Sequence, residues 1–306
     1  MSLHVAVCIV SYRNPGDVVR CLDGLAKSAW RDFEVVICEN GGPAAFEALS
    51  SRIPNSLPGG QPIRAVLADG NLGYAGGVNL CIANSRGAGA WWVLNPDTYP
   101  APEALARMVE RLQRGDCEAV GNTVNLPGGR VQSHGGLWRK PLARAVSMGY
   151  GAPADVAPDP VQIEATQNYL NGASMLIGRR FVDVAGLMDE RYFLYCEEVE
   201  WCLRAKERGL RLGYAPDAAV LHEQGTSTGH SADLTTRSKL SVYLGERNRL
   251  ILTRDRYPAL LPVAAVAALA LLVLRFGRGR AWRQLGYALQ GWGAGLMNRR
   301  GAPAWS

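Results

Sequence analysis

No C-x-x-C pair occurs among the seven cysteines of this 306-residue chain, Cys8, Cys21, Cys38, Cys81, Cys117, Cys196 and Cys202. Their odd number and their place in apolar runs such as "HVAVCIV" and "EVVIC" exclude a zinc site and a disulfide framework. They read as small buried hydrophobes in a reducing compartment. The amino terminus, "MSLHVAVCIVSYRNPG", lacks the basic n-region and long h-region of a secretory signal, so the expected compartment is the cytosol. There is no internal repeat and no low-complexity tract. Acidic residues are scarce at one end: residues 236–306 hold twelve Lys/Arg against two Asp/Glu, while residues 1–235 hold 21 against 25. The net charge of +6 therefore belongs to the tail.

What is present is apolar bulk. At 48% hydrophobic residues the chain can bury one large α/β core or two smaller lobes, and disorder is excluded. The tail also contains "YPALLPVAAVAALALLVLRFGRGRAW", whose apolar run, residues 257–274, has about the minimum length to cross a bilayer at ~1.5 Å per residue. A buried core helix is the alternative. Pro262 inside the run and the flanking arginines favour a segment lying in or dipping into an anionic membrane face.

The first third alternates strand and helix patterns. "HVAVCIVSY", "DFEVVICENGG", "IRAVLADGN" and "GAWWVLNPDT" read as strands ending in polar turns, with "PGDVVRCLDGLAKSA" and "GYAGGVNLCIANSRGAG" as helices among them. A β-α-β-α-β order predicts a parallel sheet with ligands at the carboxyl ends of its strands. Residues 53–62 form a Pro/Gly loop, and the Gly/Pro-rich stretch 125–160 reads as a mobile or irregular connection with a hairpin near "LPGGRVQSHGGLW".

Three stretches carry candidate chemistry. The glycines of "GNLGYAGGVN" allow close approach of backbone to a phosphate or sugar at a helix start. A dinucleotide fingerprint would need its glycines directly after the first strand, where "SYRNPG" stands, so hydride transfer is disfavoured. In "WWVLNPDT", Asp97 at a strand's end suits a hard cation such as Mg²⁺ or Mn²⁺, or it simply begins a turn. In "FLYCEEVEWC", residues 193–202, a helix starting near Glu197 would put Glu197, Glu200 and Arg204 on one solvated face. Val199, Cys202 and Leu203 would form the apolar stripe. Glu198 falls at the border, where partial burial would raise its carboxyl from ~4.3 and fit it as a general base; the competing reading is a simple complement to the helix dipole.

Taken in order, "IVSYRN", "ENGG", "NLGYAGGVN", "LNPDT", "NGASMLIGRR", "DERYFLYCEEVEWCLRAKERG" and "PDAAVLHEQGTS" resemble the family 2 inverting glycosyltransferases, in particular their bacterial rhamnosyltransferase-like branch, over about residues 5–250. The resemblance implies a GT-A fold, an α/β architecture with a mostly parallel central sheet flanked by helices, here with a helical, membrane-associating C-terminal extension. By position, Val10, Ser11, Tyr12, Asn14, Glu39 and Asn71 would hold the nucleotide base and ribose, and Gly73, Gly76 and Gly77 would line the donor site. Asn95-Pro96-Asp97 stands where the family has its D-x-D-like motif, so Asp97 and His222 would ligate the metal, with Asn95 beside the donor. Glu198 takes the catalytic-base position, Asn171, Gly172 and Trp201 would face the acceptor, and Arg247 would reach the diphosphate. The chain departs from the family in having Glu39 where Asp is common, a Glu-Glu acidic pair, and Asn at position 95.

These matches imply Glu198 deprotonating an acceptor hydroxyl and Mg²⁺ or Mn²⁺ at Asp97 and His222 stabilising the departing nucleoside diphosphate, with inversion at the anomeric carbon. The expected donor is dTDP-rhamnose and the expected acceptor a polysaccharide or lipid-linked glycan of the cell envelope, met at the inner face of the bacterial plasma membrane. Residues 1–124 would form the nucleotide-sugar half, 125–235 the acceptor and catalytic half of the same domain, and 236–306 the basic extension. Expected partners are the donor, the acceptor and an anionic membrane surface, with no nucleic acid and a homodimer allowed. The rival from another class is an inactive nucleotide-sugar-binding scaffold, which would be marked by loss of Asp97, Glu198 or His222; all three are present.

Overall fold

In a computed structural model, which describes residues 2–223 and 233–305, the β-branched runs form strands and the 3.6-periodic runs form helices. The first half runs β1 (Val5–Ser11), α1 (Pro15–Leu25), β2 (Phe33–Glu39), α2 (Pro43–Ser50), β3 (Ile63–Leu67), α3 (Gly73–Asn84), β4 (Ala90–Leu94), β5 (Thr98–Pro100) and α4 (Ala104–Gln113). The second continues β6 (Ala119–Leu126), β7 (Arg130–Ser133), β8 (Gly136–Arg139), β9 (Arg144–Ser147), α5 (Pro160–Thr166), β10 (Ser174–Gly178), α6 (Arg179–Ala185), α7 (Glu197–Glu207) and β11 (Leu212–His222). Three helices end it: α8 (Lys239–Arg256), α9 (Leu261–Arg278) and α10 (Trp282–Leu296). The last residues of the quoted "PDAAVLHEQGTS" stretch, 224–227, lie outside the described residues.

The strands pair in the order β3-β2-β1-β4-β10-β6-β11-β5, with β7 added to β6. β1 to β4 are mutually parallel and β11 is parallel to β6. β10 runs antiparallel between β4 and β6, and β5 closes the edge antiparallel to β11. The sheet is thus mixed. The antiparallel strand has a consequence for the site: it brings the residues that precede β10, Asn171 to Ala173, to the edge where β1 and β4 end, and Asn95 N–H donates to Ala173 O at 2.9 Å.

Side chains alternate across β1, so one strand feeds two cores. Val5, Val7 and Ile9 pack with Val18, Leu22, Leu105 and Val109 from α1 and α4. Ala6, Cys8 and Val10 face Ala75, Val78 and Cys81 of α3 and the helices behind it. All seven cysteines are buried and free, as their apolar settings require. α1 follows the same logic: Pro15 occupies its first turn, and Val18, Cys21, Leu22 and Leu25 form its buried stripe.

One expectation changes, and one residue finds its place. The stretch 125–160 is not an irregular linker: β6 and β7 form one hairpin and β8 and β9 another, with glycines at positive φ in the β6–β7 turn (Gly128, Gly129). Pro262 does not interrupt the apolar tail segment; it sits in the first turn of α9, where its missing N–H has no intrahelical acceptor to lose. α9 buries Ala264, Ala265, Ala268, Leu272 and Phe276 and leaves Val263, Val266, Val273 and Leu274 exposed. One face is packed on protein and the other is apolar and bare.

Candidate functional site

The carboxyl ends of β1, β4 and β11, the start of α3 and the start of α7 converge on one cavity of about 440 Å³. Its floor and sides include Val10 and Tyr12 at the end of β1, Asn71, Gly73 and Tyr74 at α3, and Asn95, Pro96 and Asp97 after β4. Opposite lie Asn171, Gly172, Glu197, Glu198 and His222. Residues far apart in the chain thus meet at one edge of the sheet.

Asp97 and His222 form the first constellation. Asp97 Oδ1 lies 3.1 Å from His222 Nε2, and both side chains are nearly buried. The other ring nitrogen, Nδ1, is 2.8 Å from Gln132 Oε1, which orients the ring from the β6–β7 hairpin. Asn95 Nδ2 approaches the same Nε2 at 3.4 Å, while Asn95 Oδ1 is buried without a hydrogen-bond partner among the described residues. A carboxylate oxygen, an imidazole nitrogen and an unpartnered amide oxygen are a donor set that suits a small divalent cation. Among the described residues, no group of three His/Cys/Asp/Glu side chains is placed to hold a metal ion by itself. None of the described lining residues is Lys or Arg, yet Asp97, Glu197 and Glu198 all face the cavity.

The second constellation is the start of α7. Phe193, Tyr195 and Cys196 have φ of 66°, 73° and 70°, a left-handed run of non-glycine residues costing about 1–2 kcal/mol each. The strain is held from behind. Asn248 Nδ2 lies within 2.9 Å of the carbonyl oxygens of Tyr192, Leu194 and Tyr195, and Tyr74 N–H donates to Phe193 O at 2.7 Å. This loop aims Glu197 and Glu198 into the cavity. A Cβ on Gly172 would stand 3.3 Å from Glu198 Cγ, so the glycine leaves room for that side chain. Tyr74 OH donates to Gly172 O at 2.7 Å, fixing the facing wall.

Burial raises the Glu198 carboxyl to about 6, opposed by the backbone N–H groups of the helix start. Burial, and then the charge of Glu198, push Glu197 well above the usual carboxylate range. The two carboxyls oppose each other's ionisation, so the pair resists carrying two charges at once. Tyr74 stays a neutral phenol because burial and then the charges of Glu197, Glu198 and Asp97 oppose its ionisation.

Several residues expected at the site act elsewhere. Glu197 and Glu200 are not on a solvated face: they are 3% and 1% exposed, Glu197 at the cavity wall and Glu200 beneath Arg256 of α8. Glu200 is neutralised by Arg204 at 2.9 Å and Arg256 at 2.5 Å. Trp201 is fully buried, edge-on to Phe181 with its indole N–H on Gly186 O at 2.7 Å, so it faces the core and not an acceptor. Arg247 is buried too, donating to Gly301 O at 2.7 Å and Tyr192 O at 3.2 Å; it ties the C-terminal segment to the α7 loop and does not reach the cavity. Gly76 and Gly77 lie in α3 away from the cavity lining: a Cβ on Gly77 would stand 2.6 Å from Val10 Cγ1, so it is a packing glycine. Ser11 and Glu39 have no exposed surface. Glu39 accepts from Ser11 Oγ at 2.5 Å, Gly41 N–H at 2.7 Å and Arg13 N–H at 3.1 Å, and Asn14 Oδ1 accepts from Tyr12 N–H at 3.0 Å. Ser11, Glu39 and Asn14 shape the loop that carries Tyr12 and stand behind the cavity wall.

Tyr74, Gln132, Tyr169, Tyr195 and Trp305 also line the cavity, and sequence reasoning misses all five. Tyr74 has a signal, since it sits inside the quoted "NLGYAGGVN". Gln132 and Trp305 have none, because a hairpin and the residues beyond α10 reach the site only through tertiary packing.

A sheet of order 3-2-1-4 continued by an antiparallel strand, with carboxylates and a histidine at its carboxyl edge, is a GT-A-type nucleotide-sugar transferase fold. The Glycosyl transferase family 2 model matches residues 6–144. The N-acetylglucosaminyl-diphospho-decaprenol L-rhamnosyltransferase of Mycobacterium tuberculosis is 26% identical over 265 residues, covering 79% of this chain and 84% of that protein. The mannosyltransferase PcManGT from Pyrobaculum calidifontis, solved with GDP-Man and Mn²⁺, superposes with a TM-score of 0.57 at 16% identity, over 98% of this chain and 88% of its own. GalNAc-T7, solved with UDP, GalNAc and Mn²⁺, superposes with a TM-score of 0.60 at 16% identity over 81% of this chain; the match spans 51% of the GalNAc-T7 chain. Over residues 6–144 the chain is similar to glycosyltransferase family 2, and its relatives include a rhamnosyltransferase and a hexosyltransferase of glycan biosynthesis.

Proposed function

We propose that this chain is a family 2 hexosyltransferase, and in particular an inverting, divalent-metal-dependent rhamnosyltransferase that moves rhamnose from dTDP-rhamnose to a hydroxyl of a lipid-linked or polysaccharide acceptor in cell-envelope glycan synthesis. The observation that carries the reading is the cavity itself: Asp97 paired with His222 faces Glu198 across a space whose described lining has three carboxylates and no Lys or Arg. A nucleoside diphosphate cannot settle beside those charges without a counter-ion. Asp97, His222 Nε2 and the unpartnered Asn95 Oδ1 are the groups that would hold Mg²⁺ or Mn²⁺, and the ion would neutralise charge on the departing diphosphate.

The chain's own residues supply the rest. Glu198 takes the proton of the acceptor hydroxyl as that oxygen bonds to the anomeric carbon and the bond from that carbon to the diphosphate breaks, so configuration inverts. Glu197, whose carboxyl is pushed well above its ordinary range by burial and then by the Glu198 charge, resists a second charge beside the base. Asn71, Gly73 and Tyr12 border the donor side, and Asn171 and Gly172 the acceptor side next to Glu198. In domain terms, 1–124 holds the donor, 125–235 brings the base and acceptor wall, and 236–306 braces the α7 loop and approaches the membrane. α9, most of whose apolar run is not buried and which has arginines at its end, is the segment proposed to rest on the cytoplasmic face of the plasma membrane.

The test is a thermal-shift screen of nucleotide sugars with and without Mn²⁺, followed by transfer to an N-acetylglucosaminyl-diphosphate lipid and NMR of the new linkage. A donor at 100 times its Kd adds ~2.7 kcal/mol to stability. dTDP-rhamnose should give the largest Mn²⁺-dependent shift, and a product of retained configuration would sink the single-displacement mechanism.

A further inference from the structure

The catalytic cavity has two unlike walls. Along the sheet edge its described lining is polar, with Asn71, Asn95, Asp97, Gln132 and His222. Toward α8 it is aromatic and aliphatic, with Tyr169, Phe193, Leu194, Tyr195, Leu240 and Trp305. Trp305 comes from the segment after α10, and that segment is tied down before it reaches the cavity. Arg300 donates to both oxygens of Asp255, at 2.8 and 2.5 Å. Gly301 N–H donates to Arg191 O at 2.8 Å, and Arg247 donates to Gly301 O at 2.7 Å. Asp255 also accepts from Tyr192 OH at 3.0 Å, so the segment and the loop that leads to Glu198 share one anchor. Beyond these ties the rings of Trp305 and Tyr243 meet edge to face with centroids 5.4 Å apart, and Lys239 Nζ stands 4.0 Å from the centre of the Trp305 ring. Trp305 is nevertheless 44% exposed. A large apolar ring is thus held in one orientation at the cavity wall by partners that leave much of it open.

The aromatic wall is also the wall of the base. Tyr195 sits on the loop that leads into Glu198, and its OH donates to Ser241 Oγ of α8 at 3.1 Å. Burial, and then the charge of Glu198, push the Tyr169 phenol up, which sets that ring beside the base. A donor diphosphate belongs at the other wall, where Asp97 and His222 would hold the metal. A hexopyranose carries C–H groups on one face that are apolar and weakly positive, and these suit the negative face of an aromatic ring, while its hydroxyls project sideways. We infer that Trp305 is the platform for the acceptor's sugar ring, which lies against the indole beside Tyr195 and Leu240 with its reacting hydroxyl turned to Glu198. The inference rests on the transferase reading of the proposed function, and it moves the acceptor-facing tryptophan from position 201 to position 305. An indole already fixed by Tyr243, Lys239 and the tied segment loses little freedom when a sugar settles on it.

The experiment compares wild type with Trp305→Ala, Trp305→Phe and Arg300→Gln. Calorimetry reads binding of farnesyl diphosphate bearing N-acetylglucosamine, glucose or galactose, and of farnesyl diphosphate without a sugar. Nucleotide-sugar binding with Mn²⁺ reports an intact donor site. Trp305→Ala should weaken the sugar-bearing lipid that wild type binds best about three- to tenfold, the range for losing one aromatic partner, with the sugar-free lipid and the donor unchanged. Trp305→Phe should keep most of the affinity, and Arg300→Gln, which loosens the segment, should lose part of it. In transfer assays the alanine variant should raise acceptor KM more than it lowers kcat. Unchanged affinity for the sugar-bearing lipid, an equal loss for the sugar-free one, or a wild type that binds none of the three sugar-bearing lipids overturns the platform. If Trp305→Ala loses donor binding as well, its fold is disturbed and Arg300→Gln and Trp305→Phe decide by the same criteria. Failure of every nucleotide sugar to bind wild type would instead count against the transferase reading, while the lipid measurements still decide the platform.

Discussion

The two acidic constellations of the cavity are built in opposite ways. Asp97 stands in the short turn between β4 and β5 and His222 at the end of β11, both held by strands of the sheet, and their partners Asn95 and Gln132 are neutral amides. Glu197 and Glu198 stand on a left-handed loop and a helix start, held there by Asn248 of the later helix α8. The first pair draws its geometry from β-sheet register. The second draws its geometry from Asn248 of α8 and its proton affinity from burial, which makes it the more fragile of the two.

The largest expected break in that contrast is Glu198→Gln, which should lower kcat roughly a hundredfold to ten-thousandfold while leaving nucleotide-sugar affinity near wild type. Transfer at the wild-type rate would remove Glu198 from the base role. On the other side, Gln132→Ala leaves the His222 ring without its orienting acceptor and should weaken apparent Mn²⁺ affinity about tenfold to a hundredfold, measured by metal titration of donor binding. Loss of kcat at unchanged metal affinity would contradict that assignment.

Asn248→Ala frees three carbonyls of the strained loop and should cost about 1–3 kcal/mol of stability in chemical denaturation. In the surviving folded protein, kcat should fall more than donor KM rises, since the donor side rests on the strands.

The smallest effect concerns protons. Transfer should rise with pH through about 6 as Glu198 ionises. Glu197, raised well above its ordinary value, keeps its proton where the unfolded chain has lost it, so its contribution to stability is full below ~4.3 and declines as pH rises. Glu197→Gln should therefore gain stability over wild type at pH 8 and not at pH 4; equal pH dependence in both proteins would mean that the buried proton is absent.

Much of this site is legible in the sequence. The strand ends at Ser11, Glu39, Asn71 and Asn95 can be read from β-branched runs stopping at polar turns, and α7's start from its acidic first turn. Burial of Glu197 and Glu200 is not legible, because helical periodicity gives a direction around one helix and says nothing about which neighbour covers it. For the same reason Trp201 and Arg247 look like ligand contacts in the sequence and prove to be core and clamp.

Local sequence by itself determined the parallel β1–β4 core, the polar edge of the sheet and the buried cysteines, whereas the base role of position 198 is what the ordered family motifs imply. The first three follow from short-range patterns of polarity and backbone preference. Tertiary structure alone decided that β10 enters antiparallel, that α8 lies over α7, that Gln132 reaches His222 and that Trp305 lines the cavity. Such contacts join residues tens of positions apart, and their energies depend on which surfaces meet, a quantity that no local window of sequence contains.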